Sequence, residues 1–201
     1  MPRAGDRRPG GGRRTEPHGR AAFAAGIGTV LLAALVASCG GDGGSRGASA
    51  GAEPPAGPLE RNLPFPDVAV LGLDSTKVGA ASLLRGHETI VLFISTSCET
   101  CSELVRIWNR RADRIPEGVR ALLIVDEEVG YAADYARKNG IRLPLYCDTR
   151  SVFGRQHKMD ILPSAAGVRP DGTVAFVRRG ATPLFTPERA VMMLRGADRP
   201  R

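Results

Sequence analysis

The apolar positions of the chain repeat with two periods, and the boundaries between them lay out its elements. Thr89-Ile90-Val91-Leu92-Phe93-Ile94 is a continuous run of β-branched and aromatic residues ending in the small polar turn Ser95-Thr96-Ser97. Such a run suits a strand buried on both faces. Cys101, Leu104, Val105, Trp108, Ala112 and Ile115 then recur at helical spacing. Val119 to Val125 is a second buried strand, and Val129 to Asn139 is a helix with Gly140 as its C-cap. Leu143 to Cys147 predicts a third strand and Arg150 to Met159 a short helix. Upstream, Phe65 to Ser75 predicts an edge strand and a turn, and Ala81 to Gly86 a helical turn closed by glycine. Strands and helices alternating in this way predict an α/β domain with a largely parallel sheet covered on both faces.

The last part of the pattern is antiparallel. Ser164 to Arg169 and Thr173 to Arg178 flank Pro170-Asp171-Gly172, and Asp-Gly between two apolar runs is a hairpin signal. Thr186 to Leu194 predicts a closing helix, with Thr186 as N-cap, Pro187 at the first helical position and Glu188 in the first turn.

Composition changes the picture mainly at the N-terminus. The 201 residues are 42% hydrophobic, enough for one packed domain with extensions, and carry a formal net charge of +7. Six arginines (Arg3, Arg7, Arg8, Arg13, Arg14, Arg20) against Asp6 and Glu16 place +4 of that charge before Ala21. The remaining +3 does not make a nucleic-acid surface, so no nucleic-acid partner is expected. Ala21 to Ala37 is a small and apolar run of 17 residues, at the lower limit for crossing a bilayer, so a cleaved export signal is favoured over a permanent anchor. Val36-Ala37-Ser38-Cys39 resembles a bacterial lipobox, which implies cleavage before Cys39 and a lipid anchor on its sulfur. A plain secreted or signal-anchored form is the alternative. The expected organisation is a signal peptide over 1–38, a Gly/Ser/Pro-rich tether over 39–62, a folded domain over 63–196 and a short tail over 197–201.

The candidate chemistry lies where the first strand meets the first long helix. Cys98 and Cys101 form a Cys-x-x-Cys pair, with Cys98 at the helix start and Cys101 one turn on. Free backbone N–H groups and the positive end of the helix dipole stabilise a thiolate there, so Cys98 is placed to attack a disulfide and Cys101 to resolve the mixed product. Glu99 and Thr100 fill the interval, where they tune the thiols and meet a client. The Glu99 charge opposes the Cys98 thiolate and so favours a reductant. Half of a zinc site is an alternative, but Cys147 and His157, with nine residues between them, match no usual ligand spacing. A structural disulfide is another, though so small a loop stabilises little. No metal and no cofactor is called for.

The order Cys-x-x-Cys at a strand-to-helix junction, βα elements, then Ile161-Leu162-Pro163 directly before an Asp-Gly hairpin resembles the thioredoxin fold. In detail Leu63 to Leu194 resembles the extracytoplasmic thiol-disulfide oxidoreductases of the TlpA/ResA type. The resemblance implies a central mixed sheet flanked by helices, an N-terminal strand extension and a C-terminal hairpin plus helix. It also implies that Pro163 is a cis-proline beside the dithiol and that the Leu162 backbone pairs with a client. Protein dithiol or disulfide clients, a membrane thiol-reducing carrier, a role such as cytochrome c maturation and a monomeric state go with it.

Several positions differ from the family pattern. Ser97 stands where an aromatic residue usually precedes the pair, and Leu92 where an acid often lies buried. Leu104 replaces a frequent glutamate, with Glu103 one position earlier. Cys147 reads as a small core residue, with a third redox thiol as the alternative, Trp108 as a core residue, His87 and His157 as loop or helix surface, and Asp126-Glu127-Glu128 as acids favourable to a helix start. A peroxiredoxin-type peroxidase shares the fold, but the Pro and Thr usual ahead of its reactive cysteine are missing before Cys98. A copper-delivery protein would need a wider cysteine spacing and a matching histidine.

Overall fold

Seven strands, five α-helices and one 3-10 turn (Ala112–Arg114, directly after the second α-helix) follow one another in the computed structural model, which describes residues 56–196. In chain order they are β1 (Ala69–Gly72), β2 (Lys77–Gly79), α1 (Ala80–Leu84), β3 (Glu88–Ile94), α2 (Glu99–Arg110), β4 (Val119–Val125), α3 (Val129–Asn139), β5 (Leu145–Cys147), α4 (Val152–His157), β6 (Ser164–Val168), β7 (Val174–Arg178) and α5 (Pro187–Leu194). The expected signal peptide, the lipobox with Cys39, the tether as far as residue 55 and the tail 197–201 lie outside the described residues.

One mixed sheet holds all seven strands in the order β2-β1-β5-β4-β3-β6-β7. The continuous apolar run of β3 is explained by its place. It pairs in parallel with β4 on one side and antiparallel with β6 on the other, so both its edges and both its faces are covered. Ile90, Leu92 and Ile94 face α2, α3 and α5, packing with Leu104, Trp108, Tyr135 and Leu194. Val91 and Phe93 face the opposite layer, with Leu84, Ile124, Phe153 and Met159. The fold is thus α/β with a mixed sheet between two helical layers. Only β3, β4 and β5 pair in parallel; the other four strands join antiparallel, so the sheet is the mixed one that the resemblance implies and not the largely parallel one that the alternation alone predicts.

Several boundaries move for identifiable reasons. The strand expected over Phe65 to Ser75 is confined to Ala69–Gly72, and it is not the edge. Lys77-Val78-Gly79 pairs outside it, too short and too polar to leave a periodic signal. The strand expected from Leu143 begins at Leu145, because Pro144 has no N–H for the ladder and contributes only its carbonyl, to Leu123 N–H. The helix expected over Arg150 to Met159 is confined to Val152–His157, started by the Asp148 carboxylate accepting the Phe153 N–H at 2.8 Å and stopped at Lys158 in left-handed backbone. The folded part also starts before Leu63. Leu59 is buried, its N–H bonds the His157 carbonyl, and Asn62 N–H bonds Val174. His157 is therefore not on the surface. It is buried, with Nδ1 2.8 Å from the Gly57 carbonyl.

Candidate active site

Ile94 and Val125 pair at the ends of two parallel strands, so the turns that leave β3 and β4 start side by side at one edge of the sheet. The first turn, Ser95-Thr96-Ser97, leads straight into α2. Cys98 is the N-cap of that helix in extended backbone, and its Sγ accepts the Cys101 N–H at 3.1 Å. A sulfur so placed faces the unpaired amides and the dipole end of a twelve-residue helix, which stabilise negative charge on it.

Cys98 and Cys101 are joined as a disulfide with Cα atoms 5.2 Å apart. Their environments differ. Cys101 is fully buried under α2, while Cys98 is half-exposed beside the exposed Glu99 and Thr100. An incoming thiol can reach the outer sulfur, and the inner one is held behind it. Below the pair, Leu92 is fully buried among apolar side chains, so no acid lies under the dithiol at that position. Glu103 points to solvent and Leu104 into the core, as expected from helix geometry.

The far sequence joins this edge through β6. Phe93 pairs with Ser164, so Pro163 falls opposite Ile94, at the strand end from which the cysteine turn departs. The Leu162–Pro163 peptide is cis. Pro163 is buried, and its carbonyl accepts the Ala181 N–H from the loop before α5. Leu162 is half-buried and packs against both core layers. Ile161, next in sequence to Leu162, has 57% of its surface exposed, a large apolar side chain left free beside the cis bond. A cavity of about 360 Å³ opens below Leu162, with Ile94, Phe153 and Met159 in its floor and Asp126, Lys158 and Asp160 in its wall.

The cysteine turn is tied down by a contact that sequence patterning missed. Thr96 Oγ1 donates to Glu127 Oε1 at 2.7 Å, linking the turn after β3 to the turn after β4. Asp126 accepts a hydrogen bond from Ser151 Oγ. The acids after β4, read as helix-start charges, thus hold neighbouring turns, and Glu128 is the N-cap of α3 without a side-chain capping bond. The available signal was their place: polar residues directly after a central strand lie at the same sheet edge as the cysteines.

Other conspicuous residues fall elsewhere. Trp108 is fully buried and donates Nε1–H to the Phe185 carbonyl at 2.8 Å, a core role. Cys147 is a buried free thiol in the α2-side layer, whereas His157 belongs to the opposite layer, so the two are separated by the sheet. Among the described residues, no three His, Cys, Asp or Glu side chains converge as metal ligands, and no helix is long and apolar enough to cross a membrane.

No protein-family profile matches the chain, and no curated protein does. Solved structures share its fold. A secreted Mycobacterium tuberculosis disulfide oxidoreductase homologous to E. coli DsbE is 18% identical with a TM-score of 0.53, over 65% of this chain and 96% of that one. DsbF of the same bacterium, solved in mixed oxidised and reduced forms, is 19% identical with a TM-score of 0.54, over 65% and 94%. Peroxidoxin BcpB, also from Mycobacterium tuberculosis, is 16% identical with a TM-score of 0.57, over 71% and 99%. At these identities the likeness is one of fold, and the fold is thioredoxin-like.

Proposed function

We propose that the protein is a thiol-disulfide oxidoreductase whose working pair is Cys98 and Cys101. The observation that carries this reading is the graded burial of the pair at a helix start: Cys98 half-exposed at the N-cap, Cys101 buried one turn behind it. In the reduced protein the Cys98 thiolate attacks one sulfur of a client disulfide and expels the other client sulfur as a thiolate, leaving a mixed disulfide. Cys101, deprotonated in its turn, attacks Cys98 Sγ and expels the second client thiolate. The client gains two electrons, and the protein is left with the Cys98–Cys101 disulfide. The exposed Ile161 and the half-buried Leu162 supply an apolar rim where the client chain lies, with Pro163 and Thr100 bordering it.

The direction favoured is reduction of clients. Glu99 lies between the cysteines, and its charge works against the thiolate and hence towards the disulfide form of this protein. The resemblance of the N-terminal segment to an export signal with a lipobox supports an extracytoplasmic protein held to a bacterial membrane through Cys39, re-reduced by a membrane thiol carrier, with cytochrome c maturation as one such setting.

The test is a redox titration of the full chain against glutathione, with client capture by Cys101→Ala. A reversible two-electron transition assigned to Cys98/Cys101, together with mixed disulfides trapped on Cys98, is expected. A pair that neither forms its disulfide nor exchanges with dithiothreitol would sink the reading. Faster turnover of peroxide than of a disulfide substrate would move it to the peroxidase class that shares the fold.

A further inference from the structure

The turn that delivers Cys98 to its helix has few internal fixings. Cys98 N–H bonds the Ser95 carbonyl at 3.3 Å, and the Ser95 and Ser97 hydroxyls lie 3.0 Å apart. The short bond from Thr96 to the Glu127 carboxylate reaches outside the turn. Hydrogen bonds to a carboxylate are stronger than those between neutral groups, and this one is partly buried. It extends the β3–β4 ladder by one side-chain rung, since Asp126 N–H already bonds the Ile94 carbonyl just below it. Glu127 is thereby fixed on Thr96, which precedes Cys98 by two residues.

Its charge is felt by one thiol at the ends of these strands. Cys147, at the end of β5 on the other side of β4, has its thiol pushed up to about 11 by burial first, then by Glu128 and Glu127. The charged groups around the cysteine turn are Glu99 on α2, Glu127 and Glu128 from the β4–α3 turn, and Asp126, Asp148, Arg155, Lys158 and Asp160 around the cavity that Leu162 lines. None of the cations among them is bonded to Glu127.

We propose that Glu127 is a positioning residue of the dithiol site: bonded to Thr96, it holds the Ser95–Ser97 turn that presents Cys98, and its charge weighs against the Cys98 thiolate, biasing the pair towards the disulfide and so towards donating electrons. The inference rests on the dithiol reading of Cys98 and Cys101. Glu127 enters no bond-making step; it acts through Thr96 and through its field.

Full-chain variants separate the bond from the charge. Glu127→Gln keeps an oxygen acceptor for Thr96 and removes the charge. It should shift the redox equilibrium with glutathione towards the dithiol by about threefold to tenfold, tenfold being ~30 mV in potential. The pH midpoint of Cys98 alkylation by iodoacetamide should fall with it. Thr96→Val keeps the charge and removes the bond. Its equilibrium should stay within about twofold of the wild type, while exchange with a disulfide substrate slows by about tenfold, and Thr96→Ser should restore the rate. Glu127→Asp, with its charge kept but drawn back from Thr96, should behave like Thr96→Val, and it carries the test if Glu127→Gln does not fold. A Glu127→Gln variant with the wild-type equilibrium and alkylation profile, or a Thr96→Val variant with the wild-type rate, overturns the proposal. A wild type that fails to exchange with glutathione at all brings down the dithiol reading first, and this proposal with it.

Discussion

Cys147 sits at the end of β5 with no exposed surface, and its thiol is raised from an ordinary 9.0 to about 11, by burial above all and then by Glu128 and Glu127. The sign of the resulting pH dependence follows. Below pH 9 the thiol is protonated in both folded and unfolded chains, and its preference for the core is fully present. Between pH 9 and 11 the unfolded chain releases the proton and the folded one holds it, so stability falls as pH rises. The loss should reach ~2–3 kcal/mol. Urea unfolding of wild type and Cys147→Ala from pH 8 to 11 checks this, since tyrosine and lysine titrations are common to both and the difference isolates Cys147. Equal slopes would refute it. Cys98 has the same side chain and the opposite setting, half-exposed at a helix N-terminus. That contrast was legible in the chain, because one cysteine follows a strand and the other starts a helix. The Thr96–Glu127 bond was not legible, because thirty-one residues separate its partners and only the pairing of β3 with β4 brings them together.

At the scale of elements, the strands and helices with a strong period and a clear stop came out as the pattern implied. β4 occupies Val119–Val125 and α3 Val129–Asn139, the latter closed by Gly140 in left-handed backbone. The short elements β2, β5 and α4 did not, since they are held by partners more than by their own periodicity. The hairpin of β6 and β7 has a requirement that no turn signal reveals. A Cβ on Gly167 would lie 2.3 Å from Phe176 Cε1 and 3.1 Å from Leu194 Cδ1, so the flat side of this glycine is what lets Phe176 pack beneath α5. Gly167→Ala should cost about 1–3 kcal/mol through overpacking, read as a lower midpoint in urea. An unchanged midpoint would mean that Phe176 swings aside freely. Its tip behaves as Asp-Gly predicts: Gly172 takes a positive φ of 85°, and Asp171 accepts both the N–H and the hydroxyl of Thr173, which lower its carboxyl below the usual range.

Across the whole molecule, residues 57–62 are part of the folded body. Leu59 is buried in the α4-side layer, Arg179 Nη2 bonds its carbonyl at 3.1 Å, and the Gly57 carbonyl meets His157. Leu59→Ala should therefore destabilise the full chain by about 2–4 kcal/mol, whereas a free tether residue there would give no change in thermal midpoint. Composition could not place this boundary, because Gly57-Pro58 and Glu60-Arg61-Asn62 carry no period, and a lone leucine among polar residues is buried only if a finished surface is there to receive it. By itself the sequence determined the alternation of strands and helices, the Asp-Gly hairpin and the Cys-x-x-Cys pair at a helix start. Those features depend on neighbours in the chain: periodicity, turn chemistry and the amides of one helix. Only the tertiary structure decided which strand is the edge, how Pro163 comes level with Ile94, and that Glu127 holds the turn before Cys98. These depend on the register between strands far apart in the chain, which is set by how whole faces bury one another and not by any local run of residues.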